Sequence, residues 1–150
     1  MRKTFLGRTG LAISELAFGG GVTGGILINP AEAVRHDALQ RAVSAGINWI
    51  DTAAIYGQGY SEELVARAIK GRRDEVQIAT KCGMRWDSDE GADPWPMKDR
   101  DGKDIVIRKN SKPDSIAHEC EQSLKRLETD VIDLYQVHWP DSTTPAEDTM

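Results

Sequence analysis

The sequence has no apolar run that approaches the roughly 20 residues a membrane-spanning helix needs, so a membrane protein is not expected. Its first seven residues are basic at the start but have no apolar stretch behind them, unlike a secretory signal. Lysine and arginine number 19 against 24 aspartates and glutamates, which gives a formal net charge of −5. Because no basic stripe is present, nucleic acid is not expected as a partner. These features predict a cytoplasmic protein.

Cysteine and histidine are also scarce. The two cysteines, Cys82 and Cys120, lie far apart and lack the spacing of a metal site. Both are interpreted as structural thiols, and no disulfide is expected in a reducing cytoplasm. Of the three histidines, His36 and His118 fall on predicted helices, whereas His138 follows a predicted strand. The histidines therefore do not cluster, and no metal site is predicted.

The sequence does contain a regular alternation of strand-like and helix-like segments. A hairpin is predicted around residues 7–10, followed by a buried strand at residues 16–19 and then by repeated helix–strand pairs. The three predicted helices begin near Asn29, Ser61 and Pro113, with Asn29 and Ser61 as expected N-caps and Gly46 as the glycine that ends the first helix. The apolar face of the third helix is expected at residues 116, 120, 124 and 127. This alternation is typical of a parallel sheet with helices packed on it. A complete (β/α)8 barrel takes about 250 residues. The 150-residue chain is therefore predicted to be an α/β protein of that TIM-barrel type, with an N-terminal β-hairpin and only about the first four βα units.

A long polar segment, residues 83–112, interrupts the alternation after the third predicted strand. It contains Asp101 and Gly102, a pair that favours a hairpin turn. Long segments of this kind inside compact domains usually carry a function or are disordered. We expect a small hairpin on the same face as the functional residues, acting as a lid or as an interaction surface.

Polar residues stand at the ends of three of the predicted strands. Asp51, Lys81 and His138 each end one of these strands, and Tyr56 follows the first of them by one short loop. In a parallel barrel the C-terminal ends of the strands share one face, and that face carries the active site. The sequence therefore predicts that an acid, a phenol, an amine and an imidazole meet in one pocket.

This set of groups suits the reduction of a carbonyl compound. A phenol can protonate the carbonyl oxygen, but with an ordinary pKa near 10 it is a slow donor unless an ammonium group lowers that pKa. A carboxylate holds the ammonium charged and in place, and a neutral imidazole orients the carbonyl. Taken singly, Asp51, Tyr56, Lys81 and His138 each also suit a structural role; their joint placement at strand ends favours catalysis.

Several segments resemble one family, the aldo-keto reductases, and the resemblance covers essentially the whole chain. The matching segments are GINWIDTAAIYG at residues 46–57, SE at 61–62, IATK at 78–81, SLKRL at 123–127, IDLY at 132–135 and VHWP at 137–140. The resemblance implies NAD(P)H-dependent reduction of aldehydes or ketones, or the reverse oxidation. It makes Tyr56 the general acid, Lys81 the residue that tunes its pKa, Asp51 the partner of the lysine and His138 the group that orients the substrate.

The resemblance also suggests a cofactor site. Gly20, Gly21 and Val22 match the backbone that meets the nicotinamide end of the cofactor, and Asp51 lies near the nicotinamide ribose in the family. The family mostly favours NADP, so NADPH is the expected cofactor, with NAD as the alternative. Residues 1–150 correspond to the N-terminal half of such a NADP-dependent oxidoreductase domain, and the determinants of cofactor choice lie in the other half.

Two tryptophans complete the predicted site. Trp86 and Trp139 follow two strand ends, where they either wall the pocket for a small carbonyl substrate or pack under the long loop. Two other functions stay open: a cofactor-binding partner module, as in the channel-associated β subunits that resemble this family, or an inactive truncated fragment. The first and fourth barrel strands are expected as open edges, through which two copies of the chain would associate.

Overall fold

The computed structural model describes residues 1–21 and 31–149. Its elements in chain order are β1 (Lys3–Phe5), β2 (Ala12–Ser14), β3 (Ala17–Gly19), α1 (Glu32–Ser44), β4 (Trp49–Asp51), α2 (Tyr60–Ala68), β5 (Gln77–Cys82), β6 (Met84–Arg85), β7 (Ala92–Lys98), β8 (Asp104–Lys109), α3 (Pro113–Arg126), β9 (Leu134–Val137) and α4 (Ala146–Thr149). A short 3-10 turn, Arg73–Glu75, precedes β5. None of the helices in these residues has the length and apolar character that crossing a bilayer requires.

The first two strands form the predicted N-terminal hairpin. β1 pairs antiparallel with β2, with Lys3 opposite Ser14 and Phe5 opposite Ala12. The turn between them uses two glycines with positive φ, Gly7 at 54° and Gly10 at 79°. Glycine occupies this region of backbone space without steric cost, which explains why the turn forms here.

A parallel sheet of four strands holds the rest of the fold together. Its spatial order is β3-β4-β5-β9, so β3 and β9 form its two edges. The register places Gly19 beside Asp51 and Lys81 beside Gln136. Because the four strands run in the same direction, their C-terminal ends meet at one edge of the sheet. The α/β class and the four successive strand–helix units are confirmed.

Helices α1, α2 and α3 supply the apolar cover of this sheet. The main core cluster comprises Leu39, Val43, Ile50, Val65, Ala68, Ile69, Val76, Ile78 and Leu127. α1 ends at Ser44, and the predicted glycine, Gly46, follows it with φ 91°. The N–H of Gly46 donates to the carbonyl oxygen of Val43 at 2.9 Å, and the N–H of Ile47 donates to that of Ala42 at 3.0 Å. This pattern is a Schellman cap, which directs the chain into β4.

The two upstream helices begin differently from the prediction. The predicted start of the first helix at Asn29 lies outside the described residues, and α1 begins at Glu32 behind Ala31. The prediction that Ser61 caps the second helix is wrong, because α2 begins at Tyr60 behind Gly59, whose φ is 96°. The Ser61 hydroxyl is instead buried and donates to a backbone carbonyl oxygen of the glycine loop after β3.

The buried face of α3 also differs from the prediction. Ile116, Cys120, Leu124 and Leu127 were expected to face the core. Leu127 does, as part of the main core cluster, whereas the other three are only half-buried. The residues that point inward are polar and fully buried, namely Ser115, Glu119 and Ser123. These polar groups tolerate burial because each has a hydrogen-bond partner. Apolar periodicity therefore identified the helix and its contact with the core at Leu127, but not the polar residues that are buried along most of its length.

The long polar segment forms the expected hairpin. β8 pairs antiparallel with β7 on one side and with β6 on the other, which makes a separate three-stranded sheet. The predicted turn residues Asp101 and Gly102 lie between β7 and β8, and Gly102 has φ 81°. We call β7, β8 and the turn that joins them the β7–β8 hairpin.

Candidate active site

The ends of β4 and β5 bring an acid and an amine into contact. The Lys81 ammonium group donates to the Asp51 carboxylate at 2.6 Å and to the backbone carbonyl oxygen of Thr52 at 2.7 Å. The Lys81 side chain is only 13% exposed, so this hydrogen bond and ion pair fix the ammonium group in one place. Adjacent parallel strands produce this contact. Asp51 ends β4 opposite Ala79 of β5, and Lys81 lies two residues beyond Ala79 on the same strand.

Tyr56 approaches the same ammonium group from the loop after β4. Its backbone N–H donates to the carbonyl oxygen of Ala53 at 3.1 Å, and its own carbonyl oxygen accepts the N–H of Ser61 at 3.1 Å. These two bonds hold the loop in a tight turn. The Lys81 nitrogen lies 5.1 Å from the centroid of the Tyr56 ring, within the range of a cation–π contact.

His138 completes the group from the end of β9. Its backbone N–H donates to the carbonyl oxygen of Cys82 at 2.9 Å, which extends the pairing of β9 with β5 by one residue. Its ring meets the Tyr56 ring edge-on, with centroids 5.6 Å apart and an interplanar angle of 84°. Burial and the positive charge of Lys81 lower the pKa of His138 below its ordinary value of 6.5. The imidazole is therefore neutral at pH 7 and has one N–H to donate.

Two glycines after β3 border this group. The N–H of Gly20 donates to the carbonyl oxygen of Asp51 at 2.6 Å. A Cβ atom on Gly20 would lie 2.7 Å from the Ser61 hydroxyl, and one on Gly21 would lie 3.2 Å from Cζ of Tyr56. A side chain at Gly20 would therefore displace its neighbours, and one at Gly21 would push the Tyr56 ring by a few tenths of an ångström. Val22, the third residue predicted for cofactor binding, lies outside the described residues.

A cavity of about 690 Å³ opens next to Tyr56 and His138. Its apolar lining comes largely from the β7–β8 hairpin and the strand ends: Ile55, Met84, Trp95, Met97, Ile107 and Trp139. Its charged lining residues are Glu32, Arg35, Lys98, Asp99 and Arg100. Such a pocket, mostly apolar with a few polar groups, is typical of a small-molecule site.

Of the two tryptophans predicted to contact substrate, the structure brings only Trp139 to this cavity. Trp86 lies elsewhere, with its ring centroid 5.8 Å from the guanidinium carbon of Arg126. It lines a separate surface groove together with Asp87 and Pro96. Met84 of β6 still lines the cavity, whereas Trp86, two residues further on, lies beside Arg126 of α3, which explains the difference.

A buried ion pair lies beneath the site, and sequence reasoning did not predict it. The Glu62 carboxylate is fully buried and accepts the Thr80 hydroxyl at 2.6 Å and the Arg126 Nε–H at 2.6 Å. Thr80 directly precedes Lys81, so this pair anchors β5 to α2 and α3. The one sequence signal was an acidic residue in the first turn of α2, which suits any exposed helix N-terminus equally well.

Glu119 is a second residue that sequence reasoning missed. Both of its carboxylate oxygens accept the backbone N–H of Gly83, at 3.1 Å and 3.0 Å. Burial raises the pKa of Glu119 to about 7 and that of the neighbouring Cys82 thiol to about 12. Cys82 is therefore a protonated, unreactive thiol, and its sulfur donates to the carbonyl oxygen of Gln136. In residues 1–21 and 31–149 no cluster of histidine, cysteine or acidic side chains could hold a metal ion.

Comparisons with known proteins agree on one family. Residues 15–150 match the sequence profile of the Aldo/keto reductase family. Aldo-keto reductase YhdN from Bacillus subtilis (strain 168) is 38% identical over 152 residues, which cover 99% of this chain and 41% of that protein. The NADH-specific methylglyoxal reductase of Escherichia coli (strain K12) is 36% identical over 160 residues, covering 100% of this chain and 46% of that protein.

The solved structures give the same result. The holo form of aldo-keto reductase AKR11C1 from Bacillus halodurans matches with a TM-score of 0.80 and 32% identity, covering 99% of this chain and 44% of that one. The chain thus spans less than half the length of these relatives. Its four-stranded parallel sheet corresponds to part of their (β/α)8 barrel, which confirms the predicted barrel type. The chain belongs to the aldo/keto reductase family.

Proposed function

We propose that the chain provides the proton-donating part of an NAD(P)H-dependent oxidoreductase that reduces aldehydes or ketones to alcohols. The observation that carries the proposal is the position of Tyr56. Its ring centroid lies 5.1 Å from the Lys81 ammonium nitrogen and 5.6 Å from the centroid of the His138 ring, and Tyr56 lines the cavity.

Each residue of this group has a defined task in that reaction. The Tyr56 hydroxyl gives its proton to the carbonyl oxygen of the substrate, where negative charge develops. The Lys81 ammonium stabilises the phenolate that remains, and Asp51 keeps the ammonium in place at 2.6 Å. The neutral His138 ring donates a hydrogen bond to the same carbonyl oxygen and so orients the substrate.

The residues after β3 fit the nicotinamide end of a cofactor. Gly20 and Gly21 carry no side chain against Tyr56, and a Cβ on Gly21 would fill the space 3.6 Å from its hydroxyl. Gly20, Gly21, Val22 and Asp51 are the residues we propose to hold it. When bound, the reduced nicotinamide supplies the hydride that adds to the carbonyl carbon.

We propose NADPH as the preferred cofactor and NADH as the alternative. The preference for NADPH follows from the resemblance to the family, whereas one relative is named as an NADH-specific methylglyoxal reductase. Comparing consumption of the two reduced cofactors at equal concentration decides between them.

The β7–β8 hairpin is proposed to act as a wall or lid of the substrate site. Trp95, Met97 and Ile107 from this hairpin line the cavity next to Tyr56. This placement favours the reductase over a partner-binding module that uses the same segment. Deleting the hairpin is expected to impair reduction, whereas loss of a protein partner with reduction intact would favour the module.

Three further properties are proposed. Residues 1–150 form the N-terminal half of a longer reductase domain, with residues 83–112 as an insertion. A cytoplasmic location agrees with the two free thiols, Cys82 and Cys120.

Self-association is proposed through the sheet edges β3 and β9, since unpaired strand edges favour pairing with another chain. A monomer in light scattering at micromolar concentration would contradict self-association.

The experiment that tests the reaction is direct. The purified chain is mixed with NADPH and a reactive aromatic aldehyde, cofactor absorbance is followed, and the alcohol is identified by mass spectrometry. Aldehyde-dependent loss of NADPH with one alcohol formed per NADPH supports the proposal. NADPH loss without alcohol contradicts it.

A further inference from the structure

Two walls of the cavity come from separate parts of the chain. The β7–β8 hairpin contributes Trp95, Met97 and Ile107, and the segment that follows β9 contributes His138 and Trp139. Trp139 is 52% exposed, so side-chain packing alone does not fix its ring. The position of this second wall therefore depends on the backbone that carries Trp139.

That backbone is anchored on both sides of Trp139. On the upstream side, the His138 N–H donates to the carbonyl oxygen of Cys82 at 2.9 Å. On the downstream side, the carboxylate of Asp141 accepts the backbone N–H of Ser111 at 2.9 Å. The first anchor is part of the strand pairing, whereas the second is made by one side chain.

The partner of that side chain belongs to the base of the β7–β8 hairpin. Ser111 lies two residues beyond the end of β8. Its neighbour Asn110 donates its backbone N–H to the carbonyl oxygen of Gly83 at 3.2 Å, and both Asn110 and Ser111 are buried. The Asp141 carboxylate therefore links the segment that carries Trp139 to the base of the hairpin that supplies the other wall.

The Asp141 carboxylate is buried and receives four hydrogen bonds. Oδ1 accepts the N–H and the hydroxyl of Thr143 at 2.8 Å and 2.7 Å, and Oδ2 accepts the Ser111 N–H and the Thr144 hydroxyl, both at 2.9 Å. Burial alone would raise the pKa of this carboxyl group, but the hydrogen bonds outweigh burial and lower the pKa to about 2. Each carboxylate oxygen thus accepts one backbone N–H.

We propose that Asp141 is a positioning residue of the substrate site, whose carboxylate fixes the Trp139 wall by joining it to the base of the β7–β8 hairpin. The substrate that these walls suit has an aromatic or apolar body, since most of the lining is apolar. Asp141 acts through Trp139, because it lines a separate groove together with Val137 and Pro140. This inference rests on the proposed reduction at Tyr56, since it concerns the same cavity.

Two substitutions at Asp141 disturb the link in different ways. Asp141→Asn keeps the shape of the side chain, but its NH2 group must face the backbone N–H of either Ser111 or Thr143, which leaves a buried donor unpaired. Asp141→Ser keeps an acceptor for the Thr143 N–H, as serine does in such turns, but it is too short to reach Ser111. Because Asp141→Ser breaks the link itself, its effect should be the larger.

Asp133→Asn is the matched control. Asp133 directly precedes β9, and its carboxylate also accepts a backbone N–H, that of Ile78 at 2.8 Å, besides pairing with Arg73 at 2.6 Å. It lies at the end of β9 away from Trp139. A loss of stability alone would therefore appear in this variant too, whereas a change of the cavity wall would not.

Binding of an aromatic alcohol tests the wall without requiring turnover. 4-Nitrobenzyl alcohol is titrated into 15N-labelled protein, and its Kd is obtained from the shifts of the four indole N–H signals, with Trp139→Phe to assign the signal of Trp139. We expect this signal to shift on binding to the wild type. In Asp141→Ser we expect Kd to rise about tenfold, the usual effect of losing one hydrogen bond to a charged group. Asp133→Asn should bind as the wild type does.

Circular dichroism establishes which variants are folded at the temperature of the titration, and if only one Asp141 variant folds, that variant decides. Wild-type affinity of a folded Asp141→Ser or Asp141→Asn, equal weakening in Asp133→Asn, or no shift of the Trp139 signal in the wild type would each overturn the proposal. A failure of both Asp141 variants to fold would overturn it as well, because Asp141 would then serve folding rather than the cavity.

A failure of the proposed reduction gives a different result. In that case the Asp141 variants still bind the alcohol more weakly than the wild type, but the wild type does not reduce 4-nitrobenzaldehyde with NADPH or NADH. Where reduction occurs, Asp141→Ser is expected to raise the KM for this aldehyde by about the same factor with little change in kcat, because His138 keeps its own anchor at Cys82.

Discussion

The rings of Tyr56 and His138 meet edge to face, with centroids 5.6 Å apart and an interplanar angle of 84°. Tyr56 comes from the loop after β4 and His138 from the end of β9, so two distant segments build one contact. Since burial and Lys81 lower the pKa of His138, its ring is neutral and can donate a hydrogen bond beside the phenol. A carbonyl oxygen placed next to both rings would receive a hydrogen bond from each.

Replacing Asp51 with asparagine keeps a hydrogen-bond acceptor for Lys81 but removes the opposing charge. Because the Lys81 side chain is 13% exposed, we expect the free energy of unfolding to fall by about 1–3 kcal/mol and turnover to decrease. Asp93→Asn is the control, since its carboxylate pairs with Lys109 at 3.0 Å on the exposed hairpin. Urea denaturation measures both variants, and equal effects would contradict a special role for Asp51.

The buried ion pair beneath the site gives a sharper test of stability. Arg126→Met leaves the fully buried Glu62 carboxylate without its cation, so we expect a loss of about 3–5 kcal/mol. Arg67→Met breaks an exposed ion pair with Glu32 and should change stability by about 1 kcal/mol or less. Chemical denaturation of the two variants should rank them in this order. A smaller loss for Arg126→Met than for Arg67→Met would exclude the anchoring role of Glu62.

Glu119 predicts a specific dependence of stability on pH. Burial raises its folded-state pKa from the ordinary 4.5 to about 7, against the smaller opposing effects of the Gly83 N–H and Arg85. Its contribution to stability is therefore complete below pH 4.5 and is lost as the pH rises to about 7. That loss amounts to roughly 3 kcal/mol. Glu119→Gln cannot ionise, so its free energy of unfolding should decline less across this range.

The measurement is a series of urea titrations of both proteins at several pH values. Other titrating groups, His138 among them, are present in both proteins and cancel in the difference. Parallel pH profiles for the wild type and Glu119→Gln would show that Glu119 titrates as an ordinary exposed carboxyl group.

The two glycines after β3 should respond differently to alanine. A Cβ on Gly20 would lie 2.7 Å from the Ser61 hydroxyl and 3.1 Å from the Asp51 carbonyl oxygen, so Gly20→Ala should cost roughly 1–3 kcal/mol. A Cβ on Gly21 would lie 3.2 Å from Tyr56, whose ring can shift by a few tenths of an ångström. We therefore expect Gly21→Ala to lower turnover while the melting temperature changes little. Wild-type turnover of Gly21→Ala would show that Tyr56 is not positioned by this glycine.

The fold and the meeting of four site residues were predictable because both depend on chain order. Strand ends in a parallel sheet share an edge, so Asp51, Lys81 and His138 could be placed from their positions alone. Gly46 could be placed because a glycine after an amphipathic helix is a common cap. These signals are local, and they hold in most proteins that alternate strands and helices.

The contacts that depend on distant partners were not predictable. Glu62 meets Arg126, which lies 64 residues further along the chain, and the sequence offers no sign that this acid is buried. Serine is a common helix cap, but the Ser61 hydroxyl forms hydrogen bonds with Gly20 and Thr52 inside the fold. Trp86 follows a strand end as Trp139 does, yet it lies beside Arg126 of α3, and only Trp139 lines the cavity.

The measurement that tests the central claim most directly is NADPH consumption with a reactive aromatic aldehyde by the wild type and by Tyr56→Phe. Phenylalanine keeps the ring that packs against His138 and Lys81 but removes the proton, so cofactor binding should be unchanged. We expect turnover to fall by about 10²–10⁴-fold, the usual contribution of a general acid. Equal turnover of the two proteins would show that Tyr56 does not donate the proton.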